Sequence, residues 1–406
     1  MSGIAARRGW ICSQIGAREQ YAIARGLYQK KVLEWLLTDA WVSRANPLGL
    51  FRQSLRERYH AAVANDCVMS WNSSLVAFEL AARMKGLSGW PLIIARNKWF
   101  QRKVANYLVS YSLSVNGDQR ILFSYSYAAL DPFRFAKSRG WKTVLGQIDP
   151  GPALDRIGKS LADAAGIHHF SPPSSYWDEW HQECDLADKI VVNSDWSRKC
   201  LMEEGIDPVK IKIIPLSYEP PPETEHFHRE IPSRFTSERP LRVLFLAQIT
   251  LTKGTLPLLE AAQRMRGRPV EFMMVGPVQV DLPANYRDLE NVQWFGAVPR
   301  SETSRFFKEA DAFIFPTFCD GFGLTQLEAQ AWKLPVFASR FCGEVVSHGH
   351  NGLILNEVSE ENICQMILSI LERPEELASL AEHSSIGDGY STSGIASKLL
   401  LLASHL

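Results

Sequence analysis

The stretch that most constrains the fold is residues 313–332, FIFPTFCDGFGLTQLEAQAW. Its short apolar run ends at Pro316, which is typical of a buried strand followed by a stop. Two glycines, at 321 and 323, then lead into a segment whose apolar residues share one helical face. Glycines let the backbone turn sharply and approach a ligand closely. The stretch therefore predicts a strand, a glycine turn and a helix, the repeating unit of α/β proteins.

The glycine turn has the features of an anion site. The amides in the first turn of a helix lack partners and bind anions readily. Two carboxylates bracket the turn, Asp320 before it and Glu328 about one helical turn inside the helix. This arrangement suits a ligand with phosphates in the middle and hydroxyl-bearing rings at both ends, which is the shape of a nucleotide sugar. An ordinary strand-to-helix turn with surface carboxylates is the alternative.

The stretch resembles the donor-site signature of family-four (group 1) retaining glycosyltransferases. It carries the signature as Asp320-Gly321-Phe322-Gly323-Leu324 with Glu328 after three more residues, and Asp320 stands where the family usually has Glu. The resemblance implies the GT-B fold, an α/β architecture of two Rossmann-like domains facing a central cleft, with the C-terminal helix crossing back to the first domain. It implies that Asp320 holds a sugar hydroxyl and that Glu328 accepts hydrogen bonds from the ribose.

The loop 248–254, which follows an apolar strand at 241–247, extends the resemblance. Lys253-Gly254 matches the family's Lys-Gly pair, whose lysine holds the donor diphosphate, but Gln248 stands where an arginine is usual. The family also contacts the nucleobase through a backbone loop that corresponds to Val298. The implied donor-binding residues are Gln248, Lys253, Gly254, Val298, Asp320, Gly321, Phe322, Gly323, Leu324 and Glu328.

The first half of the chain begins strand–helix–strand, over residues 9–13, about 15–29 and 32–39. This order predicts a parallel sheet, and ligands bind beyond the carboxyl ends of such strands. The loop of Gly16, Ala17 and Arg18 is therefore placed at the cleft, near the diphosphate and the acceptor. Apolar runs predict further strands, and periodic segments predict helices near 50–60, 74–85 and 91–113.

The Pro-rich segment 217–240 predicts a stiff linker. It divides the chain into an acceptor-binding domain over 1–216, a donor-binding domain over 241–390 and a C-terminal helix over 391–406. The resemblance is strong over 241–355 and weak over 40–120. Since the family reads its acceptor in that early region, the acceptor is the least determined part of the prediction.

Asp149 completes the candidate catalytic set of Asp320, Lys253 and Asp149. It follows an apolar strand and precedes Pro150 in a loop where many family members carry a His-Asp or similar pair near the transferred sugar. This chain has Gln147 and Asp149 there, and no His. Asp149 is a candidate contact for a sugar or acceptor hydroxyl, and a turn aspartate before proline is the alternative.

Composition indicates the class of protein and its cellular compartment. It is 46% hydrophobic and 22% charged, which is typical of a soluble globular protein. No run approaches the roughly 20 apolar residues needed to span a bilayer. The start of the chain lacks a signal-peptide pattern, and seven scattered cysteines indicate reduced thiols. The sequence therefore predicts a cytoplasmic protein.

Charge is unevenly distributed, although the net charge is zero. Residues 1–142 carry 21 basic and 8 acidic side chains, which suggests an anionic partner or surface, and a merely solvated face is the alternative. Within them, segment 95–108 interleaves basic residues with Trp99, Phe100 and Tyr107. It predicts either peripheral attachment to the inner face of a membrane or a helix packed on its own domain. No nucleic-acid partner is expected.

These features together predict transfer of a hexose from a nucleotide diphosphate sugar to an acceptor hydroxyl, with the anomeric configuration kept. The acceptor is a glycan, a lipid or a small molecule. The resemblance implies that no cofactor and no metal is required, and His348 and His350 lack a third ligand. A non-catalytic nucleotide-binding or scaffold protein of the same fold is one alternative, motivated by Gln248, Asp320 and the missing His. A nucleotide-sugar epimerase is another.

Overall fold

Two parallel sheets follow one another along the chain in a computed structural model that describes residues 9–42, 58–114 and 119–406. In the described residues the first sheet has seven strands in the order β3-β2-β1-β4-β5-β6-β7. These strands are β1 (Trp10–Gln14), β2 (Leu33–Thr38), β3 (Val68–Ser70), β4 (Ile121–Tyr125), β5 (Lys142–Gly146), β6 (Lys189–Val192) and β7 (Ile211–Ile213).

The second sheet repeats this arrangement with six strands, in the order β10-β9-β8-β11-β12-β13. In each sheet the strand order reverses at the centre, between β1 and β4 and between β8 and β11. Such reversals are where open α/β sheets bind ligands. The strands are β8 (Leu241–Leu246), β9 (Val270–Val275), β10 (Val292–Gly296), β11 (Ala312–Phe315), β12 (Val336–Ala338) and β13 (Gly352–Ile354).

Helices connect the strands. Those of the first half that the structure describes are α1 (Ala22–Gln29), α2 (Asn72–Met84), α3 (Gly89–Ser114), α4 (Leu130–Ser138), α5 (Pro152–Ala165), α6 (Ser174–Leu186) and α7 (Asp195–Glu203). Those of the second half are α8 (Thr255–Arg264), α9 (Thr303–Glu309), α10 (Thr325–Ala331), α11 (Glu360–Glu372), α12 (Pro374–His383) and α13 (Thr392–Ala403). The two Rossmann-like sheets confirm the predicted fold class. The helix predicted near 50–60 lies largely outside the described residues.

The start of α1 differs from the prediction. The sequence placed a helix from about residue 15, but α1 begins at Ala22, and Glu19, Gln20 and Tyr21 have φ values of 48°, 50° and 61°. Three successive non-glycine residues in the left-handed region are unusual, and such strain persists only where the surroundings hold it. The turn keeps Glu19 at the ligand-facing edge of the first sheet.

The C-terminal helix α13 returns to the first half of the chain. Its Ile395 and Leu399 share a buried core with Tyr21 and Leu27. Gly26 of α1 allows the close approach, because a Cβ there would lie 2.8 Å from the Cβ of Ala396. Burial of these apolar side chains attaches the end of the chain to the first sheet.

The Pro-rich segment 217–240 is anchored, not free. Arg229 donates hydrogen bonds to the carbonyls of Phe307, Ala310, Trp332 and Lys333, so the segment is attached to the second half. Burial lowers the pKa of Arg229 to about 10. The domain boundaries drawn from the sequence remain a prediction, and the strands end at Ile213 in one sheet and restart at Leu241 in the next.

The aromatic rings of segment 95–108 pack inside the first half. Phe100 is fully buried, Trp99 stacks on Phe78 at 5.4 Å between centroids, and Tyr107 meets Trp35 edge-on at 5.6 Å. Phe100 therefore belongs to the core, and the half-buried Trp99 and Tyr107 pack on neighbouring rings, while attachment of this segment to a membrane stays a prediction. Within the described ranges, no helix combines the length and the apolarity needed to cross a membrane.

Candidate functional site

Lys253 and Asp320 meet where the loops after β8 and β11 come together. The Lys253 ammonium forms an ion pair with the Asp320 carboxylate, and the two side chains are only 20% and 16% exposed. Lys253 also lies 5.3 Å from the centre of the Phe315 ring. Burial lowers the pKa of Lys253 to about 8, although the nearby Cys342 and Cys319 oppose the fall.

The two loops hold one another in place. The carbonyl of Thr252 accepts hydrogen bonds from the amide of Phe318 (2.7 Å) and from the hydroxyl of Thr317 (2.9 Å). Gly254 has φ 74°, and a Cβ there would collide with the carbonyl of Pro316. Only glycine allows this approach, which explains the Lys-Gly pair.

The glycine turn presents free backbone amides. Asp320 Oδ1 accepts a hydrogen bond from the amide of Phe322 at 2.8 Å, which closes the turn. Gly323 has φ 80° and lies against the Phe315 ring. The amides of Gly323 and Leu324 find no acceptor in the described part of the chain, so they remain available to a ligand.

Glu328 lies in a cavity of about 920 Å³ between the two halves, with Leu324 and Tyr218. Burial raises the pKa of Glu328, and Arg300, whose Nη2 lies 3.5 Å from Glu328 Oε1, opposes that rise. Ala17 lines the same cavity from the first half. We call this the first cavity.

The loop at Gly16, Ala17 and Arg18 is fixed by a residue that the sequence reading missed. Asp39, fully buried just after β2, accepts a hydrogen bond from the Gly16 amide at 2.9 Å and pairs with Arg58 and Arg96. Burial opposes its ionisation, but Arg58, the Gly16 amide and Arg96 together lower the pKa of Asp39. The feature of the sequence that could have identified Asp39 is its position directly after an apolar strand.

The neighbouring side chains of this loop differ in burial. Arg18 is exposed and lies 5.6 Å from the centre of the Tyr125 ring. Glu19 lines the first cavity, and burial raises the pKa of its carboxyl to about 7, although Arg18 and a hydrogen bond from Tyr125 oppose the rise. Ala17 and Glu19, and not Arg18, therefore face the first cavity.

Asp149 lies in the first half, with its backbone against Gly321. Its Oδ1 accepts hydrogen bonds from the hydroxyl of Tyr127 at 2.5 Å and the amide of Gly151 at 2.8 Å. Burial raises the pKa of Asp149, although these hydrogen bonds oppose the rise. It lines a separate cavity, the second cavity, which does not include Glu328. The structure thus places Lys253 and Asp320 together, with Glu328 and Asp149 in different cavities.

The two halves touch at Gly321. A Cβ on Gly321 would lie 2.6 Å from the carbonyl oxygen of Ile148, and its own carbonyl accepts a hydrogen bond from Ser197 Oγ at 3.3 Å. Cys319, two residues earlier, is fully buried at this contact. Glycine is therefore required for the backbones to come this close.

The remaining residues that were predicted to bind the sugar donor follow strands β8 and β10 of the second sheet. Gln248 is exposed, and no hydrogen bond from its side chain occurs among the described residues. Val298 is half-buried and packs against buried apolar side chains of the second half. The arrangement offers the Lys253 ammonium, the free amides of Gly323 and Leu324 and the Glu328 carboxylate to a ligand that carries both an anionic group and hydroxyls. Nowhere in the described ranges do three His, Cys, Asp or Glu side chains cluster as metal ligands do.

Residues 240–373 match the family of group 1 glycosyl transferases. Over this segment, about a third of the chain, the sequence is similar to that of group 1 glycosyl transferases. Lys253, Gly321 and Glu328 all lie within the matched range. The strongest part of the sequence resemblance is thereby confirmed.

Curated relatives cover part of the chain. An uncharacterised 41.2 kDa protein from the cps region of Klebsiella pneumoniae is 28% identical over 42% of this chain and 48% of its own length. The amylovoran biosynthesis glycosyltransferase AmsK of Erwinia amylovora is 28% identical over 45% of this chain and 46% of its own. The chain thus spans about half the length of the curated relatives it matches.

Solved structures match across both halves. HepE of Anabaena in complex with UDP aligns with a TM-score of 0.61 at 15% identity, over 98% of this chain and 100% of that one. Sucrose-phosphate synthase of Thermosynechococcus elongatus aligns with a TM-score of 0.63 at 14% identity, over 98% and 99%. At these identities the likeness shows the fold, GT-B.

Proposed function

We propose that the protein is a retaining glycosyltransferase that moves a hexose from a nucleotide diphosphate sugar to an acceptor hydroxyl. The observation that carries the proposal is the Lys253–Asp320 pair beside the free amides of Gly323 and Leu324. One ammonium and these amides match the charge and the acceptor oxygens of a diphosphate. Binding of UDP or UDP-glucose by a structural neighbour supports this choice of donor.

The donor would span the contact between the halves. The nucleoside lies in the first cavity, where Glu328 accepts hydrogen bonds from the ribose and the backbone at Val298 contacts the base. The diphosphate lies on Lys253, with Gly254 and the amides around Gly321, Phe322, Gly323 and Leu324. Asp320 holds a hydroxyl of the transferred hexose.

The reaction breaks the bond between the anomeric carbon and the diphosphate oxygen, and forms a bond to the acceptor oxygen on the same face. The acceptor proton passes to the departing diphosphate oxygen, so no separate basic side chain is needed. Lys253 and the turn amides stabilise the charge that develops on that diphosphate. Closure of the halves around Gly321 excludes water from the reacting atoms. These groups take the place that a metal has in other diphosphate sites.

Incubation of the purified chain with UDP-, GDP- and ADP-sugars tests the proposal. We expect slow release of nucleoside diphosphate from one donor, because water replaces the missing acceptor. We also expect Lys253→Ala to abolish that release, whereas Lys212→Ala, which removes an exposed lysine of β7, leaves it unchanged. Absence of turnover and of binding with every donor would contradict the proposal.

A catalytically silent scaffold is the second candidate, and two observations favour it. Gln248 is exposed and brings no charge, and both carboxylate oxygens of Asp320 are engaged, by Lys253 and by the Phe322 amide. Isothermal titration separates the candidates. Tight binding of a nucleoside diphosphate without transfer or donor hydrolysis would favour the scaffold.

We further propose that the first half contacts an anionic membrane through α2, not through the aromatic rings of α3. Val76, Leu80 and Met84 are exposed along one stripe of α2, and Arg83 and Lys85 are exposed at its end. An apolar stripe beside basic groups is what a headgroup layer binds. Flotation with anionic vesicles at low salt tests this, with Leu80→Glu as the disrupting variant. Failure of the parent protein to float would exclude binding to an anionic membrane.

A further inference from the structure

The second cavity has a volume of about 740 Å³, and five aromatic side chains of the first half lie in its lining. Tyr127 stacks on Tyr176 at 5.0 Å, and Trp90 packs on Tyr176 at 5.2 Å. The Trp90 indole donates to the carbonyl of Phe170 at 2.7 Å, which positions the exposed Phe170 ring at the rim. The aromatic lining comprises Trp90, Tyr127, Phe170, Tyr176 and Trp177.

This cavity lies beside the loops of the proposed site of transfer, and Glu328, the proposed ribose contact, lines the other cavity. Thr252, which lines it, directly precedes Lys253 and bonds the loop that carries Asp320. Asp149 also lines it, and the Asp149 Cα would lie 3.2 Å from a Cβ on Gly321. A molecule filling the cavity would therefore have one end beside the hexose held by Asp320.

The charges of the two cavities differ. The first cavity includes Arg25, Arg58, Arg300 and Lys308, opposed by Glu19, Glu219, Glu223 and Glu328, with His60 also present. The second includes Asp149, Asp155 and Asp281, and its arginine, Arg287, is exposed. Of its two histidines, His169 bonds Asp155 at 2.8 Å and His168 is exposed. Carboxylates without a buried cation disfavour a phosphate or a uronic acid.

We propose that the second cavity binds the acceptor, and that the acceptor is a neutral glycan. The proposal rests on the glycosyltransferase function given above. The face of an aromatic ring carries partial negative charge, so it attracts the polarised C–H groups of a pyranose while the sugar hydroxyls bond to side chains at the edge. Asp149 orients the reacting hydroxyl toward the anomeric carbon, and that hydroxyl's proton leaves with the diphosphate. The expected acceptor is a neutral sugar chain with its free end at Asp149.

Binding is measured without turnover, by saturation-transfer NMR and tryptophan fluorescence on the full chain. The probes are neutral disaccharides of glucose, galactose and mannose, and their phosphorylated counterparts. We expect at least one neutral disaccharide to bind at millimolar concentration, and its phosphorylated form to bind about tenfold more weakly. Binding of the phosphorylated forms in preference, or of no neutral sugar, would overturn the inference.

Variants locate the bound sugar. Phe170 is 74% exposed, so Phe170→Ala removes a ring of the cavity without disturbing the core, and we expect it to weaken disaccharide binding about tenfold. Val209→Ala, at a comparably exposed apolar residue far from the cavity, is the matched control. Unchanged binding in Phe170→Ala and in Trp177→Ala would overturn the inference. Donor hydrolysis, assayed without acceptor, reports separately on the proposed function.

Discussion

The ammonium of Lys253 and the carboxylate of Asp320 form an ion pair across two loops that follow the central strands of the second sheet. Neither charge is fully solvated, because both side chains are mostly buried. Such a pair is stable only while each partner keeps its counter-charge. An entering diphosphate would offer Lys253 a second anion and free Asp320 to contact a sugar hydroxyl.

Loss of the Lys253 charge should weaken nucleotide binding. We expect Lys253→Ala to reduce nucleoside diphosphate affinity by about 1.5–3 kcal/mol, as lost charged hydrogen bonds do. Isothermal titration measures the change, and Lys212→Ala is the control, since Lys212 is an exposed lysine on β7. Equal affinities of the parent protein and Lys253→Ala would show that Lys253 does not contact the nucleotide.

The same lysine predicts a dependence on pH. Burial lowers the pKa of Lys253 to about 8, and a bound diphosphate raises it again by favouring the ammonium. Titration of Lys253 should therefore leave the affinity for the diphosphate unchanged below a pH of about 8 and reduce it above that pH, by at most about tenfold per pH unit. Lys253→Arg should not show the fall, because a guanidinium stays charged. A flat profile in the parent protein would contradict the assignment.

Glu328 should recognise the ribose. We expect Glu328→Ala to weaken nucleotide binding by about 1–3 kcal/mol. The loss should vanish for a nucleotide whose ribose lacks both hydroxyls, which distinguishes a direct contact from a folding defect. Glu309→Ala, at an exposed glutamate on α9, is the control. A loss of the same size with both nucleotides would mean that Glu328 acts only through structure.

Gly321 should control how closely the halves approach. Because a Cβ there would lie 2.6 Å from the Ile148 carbonyl, Gly321→Ala must separate the two backbones. We expect the rate of transfer to fall more than the affinity for the nucleotide, since Gly321 does not line the first cavity, where the nucleoside is proposed to bind. Gly387→Ala is the matched control, as nothing lies within 4 Å of its added Cβ. Unchanged transfer kinetics in Gly321→Ala would contradict the role of the contact.

Asp39 should stabilise the first half. Removing one member of a buried charge network leaves the others unpaired, so we expect Asp39→Ala to lower the free energy of unfolding by about 3–5 kcal/mol. Since the pKa of Asp39 is lowered in the folded state, its contribution is present above the unfolded pKa and is lost as pH falls through the folded value. Denaturant unfolding measures both effects, with exposed Asp163→Ala as control. A change below about 1 kcal/mol would mean that Arg58 and Arg96 find other partners.

The sequence predicted what depends on neighbours along the chain. Apolar runs such as Phe313–Phe315 identified the strands, and Ser194 caps α7 by accepting a hydrogen bond from the Ser197 amide, which is a contact between near neighbours in the chain. Lys253 and Asp320 were found through motifs, and the structure pairs them. These features are local, or are carried by motifs of fixed spacing.

Features that depend on distant residues could not be predicted. Asp39 finds its cations 19 and 57 positions along the chain, and nothing in its neighbourhood specifies them. Left-handed Glu19 lacks the glycine that usually signals such a turn. The second cavity combines rings from residues 90 to 177 with the loops at 250–252 and 278–281, so Asp149 could not be placed in it from the sequence.

The most direct measurement is a crystal structure of the chain grown with UDP, GDP or ADP. The account predicts that one of these places its diphosphate on Lys253 and the amides of Gly323 and Leu324, with the ribose at Glu328. A nucleotide bound elsewhere, or a vacant contact between Lys253 and Gly323 with all three, would contradict it.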